Sequence, residues 1–197
     1  MKHKGILALF AAAAIGVGAF ALNTHTPTSY FFVQGSGASV LTAEAAASPS
    51  ASAVARAVKK AYSGGYIPDY KLSKDEIKTR YGVDSSLYSS AYAQVPMISA
   101  RVDEIVIFKA KNSDSKKKIL AAVKQYQKKL KDDRMQYPSN LLKIQGSKVY
   151  KKGRYICFFM MGDVSKSIEE SGTEAEIIKE YQNQNKKAVN AVKKAIK

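Results

Sequence analysis

Adjacent acidic residues that could do chemistry together include the pairs Asp103-Glu104, Asp132-Asp133 and Glu169-Glu170. A glycosidase needs two carboxylates that face each other across a substrate cleft. Neighbouring residues diverge on a strand and lie about 100° apart on a helix, so adjacent acids rarely meet that need. We therefore interpret the pairs as structural or solvated, and we predict no catalytic residue from them.

The first of these pairs stands next to Arg101 and directly before an apolar run that starts at Ile105. A calcium ion would bind here only with oxygen ligands from elsewhere, because the chain contains no Asp-x-Asp-x-Asp-Gly loop. A loop held by a rigid strand is nevertheless a frequent place for function. The candidate polar cluster is therefore Arg101, Asp103 and Glu104.

The histidines and the single cysteine restrict nucleophilic and metal chemistry. His3 and His25 lie near the N-terminus, and no histidine follows them. A Ser-His-Asp triad, a Cys-His dyad and a His-liganded zinc are thus excluded from the body of the chain. Cys157 is flanked by isoleucine and phenylalanine, which is typical of a small buried hydrophobe. The glycines form no phosphate-binding loop, so we predict no metal and no cofactor.

The charge of the chain is compatible with anionic partners. Thirty-two lysines and arginines against 16 acids give a net charge of +16, and lysine dominates the basic residues. Lysine acts as a point charge, which suits salt-sensitive contact with a polyanion better than the reading of a DNA sequence. A lysine-rich surface that serves only solubility is the alternative. The candidate polyanion contacts lie on one predicted helix and one predicted hairpin: Lys116, Lys117, Lys124, Lys128, Lys131, Lys151, Lys152 and Arg154.

The N-terminal residues predict export. Lys2 and Lys4 precede an apolar run of 18 residues that ends at Leu22, so residues 1–22 are a signal peptide or an N-terminal membrane anchor. A helix of that length spans about 27 Å, marginal for a bilayer core of about 30 Å, so both alternatives stay open. Residues 23–50 are rich in Ala, Ser and Thr and predict a flexible stalk. We expect an extracytoplasmic protein, secreted or anchored to the membrane, and no nucleic acid partner.

The remaining residues, 51–197, predict one α+β domain. The four adjacent apolar residues that begin at Ile105 indicate a central strand, paired with a strand over residues 85–95. A long amphipathic helix over residues 114–136 follows, and the run from Lys143 to Asp163 predicts a hairpin that turns at Gly153. A last helix begins at the capping box of Thr173. The expected fold is an antiparallel sheet of two hairpins, with amphipathic helices packed on one face.

Several of these runs occur together in one order: "VPMISARVDEIVIFKAK" from Val95, the lysine-rich helix, the Tyr137-Pro138 step, and "GRYICFFMMGD" from Gly153. In this order they resemble the domain-of-unknown-function family 4358 over residues 51–180. The resemblance implies an exported or membrane-attached protein of a Gram-positive bacterium, with an extracytoplasmic α+β domain. It implies no active site.

The functional prediction is an envelope-associated, non-enzymatic domain. It would contact an anionic cell-wall polymer, acidic lipid headgroups or an envelope protein. An exported hydrolase, or an accessory to one, that uses Ser-Lys pairs or carboxylates is the alternative, because serine and lysine are abundant. A structural module that pairs through an exposed sheet edge is the third possibility.

Overall fold

A five-stranded antiparallel sheet with the strand order β1-β2-β3-β5-β4 organises the domain. The structure is a computed structural model, and it describes residues 48–98 and 100–197. The segments predicted as leader and as the first part of the stalk, residues 1–47, lie outside the described residues. The strands are β1 (Tyr70–Lys71), β2 (Tyr88–Val95), β3 (Glu104–Ala110), β4 (Lys148–Lys152) and β5 (Tyr155–Met160).

In the described residues, six α-helices and a short 3-10 helix (Ser85–Leu87) connect and cover these strands, and together with the sheet they confirm the predicted α+β class. Within residues 48–98 and 100–197, none of the helices has both the length and the apolar character of a membrane span. The helices are α1 (Ala51–Ala61), α2 (Lys74–Tyr81), α3 (Ser113–Asp132), α4 (Pro138–Gln145), α5 (Lys166–Ser171) and α6 (Glu174–Ala195).

Strand β3 lies at the centre of the sheet because its side chains are apolar on both faces. Ile105 and Ile107 pack against α1 and α6, whereas Val106 and Phe108 pack against α2, α3 and α4. Helices therefore cover both faces of the sheet. The sequence predicted helices on one face of the sheet, and this layer is present. A second helical layer covers the other face, because a strand that is apolar on both faces must be covered on both.

The region between α3 and β4 differs from its prediction. The long helix ends at Asp132, and a separate helix, α4, begins at Pro138. Proline is well tolerated in the first turn of a helix, because the N–H that it lacks has no partner there. Lys143 therefore lies on α4, and the predicted hairpin starts only at Lys148.

The strand pairing defines two ends of the sheet. Glu104 pairs with Met160, and Lys109 pairs with Tyr155. We call the end where β3 begins and β5 finishes the network end. The end where β3 finishes and β5 begins is the basic end, and α3 begins there too.

Candidate functional site

Asp103 and Glu104 both lie buried at the network end, with 1% and 0% of their surface exposed. Glu104 is the first residue of β3, and Asp103 directly precedes it. Asp103 contacts Lys143 of α4, and Glu104 contacts Arg80 of α2. The two carboxylates share no cationic partner, so we describe them as two networks.

The first network, which we call the Asp103 network, joins Arg101, Asp103, Lys143 and Asp163. Lys143 Nζ lies 2.6 Å from Asp103 Oδ1 and 3.5 Å from Asp163 Oδ1. Arg101 places Nε 3.2 Å from Asp103 Oδ2 and Nη2 2.6 Å from Asp163 Oδ1. Two cations and two carboxylates alternate, so their formal charges balance. The network ties the start of β3 to α4 and to the segment after β5.

Lys143 is the least expected member of this network, because only 4% of it is exposed. Its Nζ lies 5.5 Å from the ring centroid of Tyr181, a geometry that favours a cation over the aromatic face. The pKa of Tyr181 is raised, first by burial and then by the charge of Asp163. Tyr181 therefore stays uncharged beside the lysine, and the carboxylates of Asp103 and Asp163 balance the charge of the Lys143 ammonium group.

Helix α6 fixes α4, and with it Lys143, through a buried asparagine. Asn185 Nδ2 donates to the carbonyl of Gly146 at 3.1 Å, and its Oδ1 accepts from the Met161 N–H at 3.0 Å. A Cβ on Gly146 would come within 2.5 Å of Tyr181 Cβ, so only glycine allows this close approach. The position of Lys143 thus depends on contacts with a helix that is distant in sequence.

The second network, which we call the Glu104 network, joins Arg80, Tyr81, Glu104 and Tyr126. Glu104 Oε2 accepts from Arg80 Nη2 at 2.6 Å and from the Tyr126 hydroxyl at 2.8 Å. Burial, and after it the charge of Glu104, raise the pKa of Tyr81 and of Tyr126, so both phenols stay protonated, and Tyr126 is the one that donates to Glu104. Glu104 Oε1 and the Tyr81 hydroxyl are buried without a hydrogen-bond partner among the described residues.

These networks have little room for a substrate. The cavity beside them has a volume of about 240 Å³, and Arg80, Arg101, Asp103 and Gln136 contribute to its wall. Small-molecule sites are usually larger, about 300–1,000 Å³. Within the part of the chain that the structure describes, no group of three or more His, Cys, Asp or Glu side chains could hold a metal ion. We interpret both networks as ion pairs that hold the network end of the sheet to its helices.

Cys157 lies at the middle of β5 and is fully buried, and burial raises the pKa of its thiol. A neutral and inaccessible thiol is a poor nucleophile. We predict that a bulky maleimide leaves Cys157 unmodified in the native protein and modifies it rapidly in concentrated urea. Mass spectrometry over time measures both rates. Rapid labelling without denaturant would contradict the buried position.

The candidate lysines of α3 are partly neutralised by acids of the same helix. Lys117 Nζ lies 3.4 Å from Asp114, and Lys128 pairs with Asp132 at 2.5 Å. Lys131 Nζ donates to the carbonyl of Gln145 at 3.0 Å. The other two members of the α3 set differ in exposure: Lys116 is half-buried and Lys124 is exposed. The outer face of α3 is therefore a mixed surface with local ion pairs.

The candidate residues of the hairpin lie instead in a larger group of cations at the basic end. Arg154 Nη1 donates to the carbonyl of Lys111 at 3.2 Å, and Lys152 Nζ donates to that of Lys193 at 3.3 Å. The pKa of Lys109 is lowered, first by partial burial and then by the positive charge of Arg154. The basic-end cluster consists of Lys109, Lys111, Lys151, Lys152, Arg154 and Lys193.

Half of this cluster was missing from the predicted contacts. Lys109 and Lys111 follow the apolar core of β3, and the pairing of Lys109 with Tyr155 brings them to the hairpin turn. Lys193 arrives from the last turn of α6. The sequence does show basic residues at the end of β3 and before the start of β5. Only the pairing of β3 with β5 shows that these two groups lie next to each other.

Comparison with known proteins gives one match. A family model described as "Domain of unknown function (DUF4358)" matches residues 63–161. The matched part runs from the end of α1 to the residue after β5, and it includes Arg80, Arg101, Asp103 and Lys143. No curated protein matches the chain, and no solved structure matches it.

Proposed function

Because the chain belongs to the DUF4358 family of domains of unknown function, we propose a function from its own surface. It is an envelope-associated binding domain, and the basic-end cluster contacts a phosphate-rich anionic component of the cell envelope. One observation carries the proposal. The sheet register brings six cations together at one end, and among the described residues none of the six forms an ion pair, unlike Lys78, Lys117, Lys128 and Lys166.

The physical reason is the cost of holding like charges together. The pKa of Lys109 is lowered first by partial burial and only then by the positive charge of Arg154, so two cations of the cluster repel each other here. The N-terminus of α3 adds the positive end of a helix dipole to the same region. A polyanion relieves this repulsion and releases its own counterions, so binding is favourable and falls steeply with salt.

The partner class follows from the residue types. Lysine supplies most of the cluster and binds phosphate as a point charge. It lacks the planar guanidinium with which arginine binds one phosphate through two hydrogen bonds. Phosphate is common to anionic wall polymers and acidic lipids, and both remain within the proposal. The alternative of an exported hydrolase gains no support from Asp103 and Glu104, because each is buried and paired with its own cation.

We predict that replacing the three hairpin cations weakens polyanion binding. The variant combines Lys151→Gln, Lys152→Gln and Arg154→Gln in the full chain. It is reconstituted into nanodiscs whose lipids carry no net charge. At low salt we expect affinity for poly(glycerol phosphate) to fall at least about tenfold, with a salt dependence shallower by about one unit per lost contact. Titration by fluorescence anisotropy at several salt concentrations measures both.

The matched control removes the same number of charges elsewhere. Lys60, Lys179 and Lys187 are exposed on α1 and α6, outside the cluster, and their replacement by glutamine changes the net charge equally. We expect the control to lose much less affinity than the hairpin variant. Equal losses would show that only net charge matters, and failure of the unmodified chain to bind at low salt would refute the proposed function.

A further inference from the structure

The chain enters the domain at the basic end. Lys109 Nζ donates to the carbonyl of Ser48, and the Tyr155 hydroxyl donates to the carbonyl of Pro49. The Ala51 N–H donates to Ser90 Oγ at 2.9 Å, which fixes the start of α1 beside β2.

The predicted membrane segment is therefore tethered to the most basic part of the domain. Residues 23–47 separate Leu22 from Ser48. A coil of that length has a root-mean-square span of about 25–30 Å. Such a tether keeps the domain near a membrane and raises its effective concentration there, but it leaves the orientation free.

The distribution of charge supplies an orientation. Lys111, Lys151 and Arg154 lie at the basic end, where Asp114 already pairs with Lys117. Away from this end, Asp103, Glu104 and Asp163 are already paired with cations, whereas Asp133 and the first-turn acids of α6, Glu174 and Glu176, form no ion pair among the described residues. A negatively charged surface attracts the basic end and repels these unpaired acids.

We propose that the basic end rests on the phosphate headgroups of acidic phospholipids in the membrane that holds the N-terminal segment. This inference rests on the proposed function and names its partner. The network end then points away from the membrane. The N-terminal tether enters the domain at the basic end, and the positive charge lies at the same end. Both therefore favour an orientation with the basic end toward the membrane.

The opposite orientation is a real competitor, because the network end carries exposed apolar side chains. Met97 and Ile98 precede β3, and Met135 and Tyr137 lie between α3 and α4; their exposed fractions are 74%, 65%, 92% and 65%. Apolar tips of this kind insert into membrane interfaces in some peripheral proteins. A test must therefore report on both ends of the domain.

Single-cysteine labels make that test direct, because buried Cys157 needs no removal. Ser113→Cys places a fluorophore at the first residue of α3, at the basic end, and Met135→Cys places one beyond the last turn of α3. The full chain is reconstituted into nanodiscs that contain a headgroup-nitroxide lipid, with either phosphatidylcholine alone or a mixture rich in phosphatidylglycerol.

We expect strong quenching at position 113 in the acidic nanodiscs, and loss of most of it in phosphatidylcholine, in high salt or with the three hairpin replacements. Position 135 should stay unquenched throughout. Stronger quenching at 135 than at 113, or equal quenching at 113 in both lipids, would overturn the orientation. If the hairpin variant weakens polymer binding while position 113 stays unquenched, the proposed function survives with a soluble polymer as partner. If the hairpin variant binds the polymer as well as the unmodified chain does, and position 113 also stays unquenched, both the proposed function and the proposed orientation are refuted.

Discussion

Replacing Asp103 with alanine will lower the free energy of unfolding by about 3–5 kcal/mol. The reason is the burial of Lys143, whose side chain is only 5% exposed and whose nearest carboxylate oxygen, at 2.6 Å, belongs to Asp103. After the replacement, only Asp163 at 3.5 Å compensates the ammonium group, and Arg101 competes for the same oxygen. Urea denaturation followed by circular dichroism measures the change.

The control for this prediction removes both buried charges. Combining Asp103→Leu with Lys143→Met replaces the pair by apolar side chains, and buried ion pairs often tolerate such replacement with little loss. We expect the double variant to recover most of the stability that Asp103→Ala loses. A loss below about 1 kcal/mol for Asp103→Ala, which is typical of an exposed pair, would contradict the structural role of the network.

The elements with strong local signals were predictable from the sequence. The apolar run of β3 gave its place at the centre of the sheet, because a strand buried on both faces has no polar alternation. The capping box at Thr173 predicted the start of α6, and it is confirmed. In each of these elements the deciding contacts lie within a few residues.

Helix α4 could not be predicted in the same way. It has only eight residues, and an isolated helix of that length is not stable in water. Its stability depends on packing against α6, where Gly146 approaches Tyr181 and Asn185 binds the Gly146 carbonyl. Without α4, Lys143 had to be assigned to a solvent-exposed hairpin.

The candidate polar cluster was predicted, but its partners were not. Asp103 and Glu104 stand out because they lead into an apolar strand. Their cationic partners Lys143 and Arg80 lie 40 and 24 residues away in sequence. Those distances follow from the sheet register and the helix packing, so no local pattern shows them. The same holds for the basic-end cluster, which forms only when β3 pairs with β5.

The Glu104 network gives the second large effect. Replacing Arg80 with methionine leaves a fully buried carboxylate with the Tyr126 hydroxyl as its one remaining hydrogen-bond donor, and we expect a loss of about 3 kcal/mol. Arg80→Lys keeps the charge but loses the planar guanidinium, which lies 5.7 Å from the Tyr126 ring, so it should lower the free energy of unfolding clearly less.

Adding Glu104→Leu to Arg80→Met should restore most of the stability, since no buried charge remains. Chemical denaturation compares the free energies of unfolding of the unmodified chain and the three variants. A methionine variant as stable as the lysine variant would show that Arg80, 41% exposed, does not compensate Glu104.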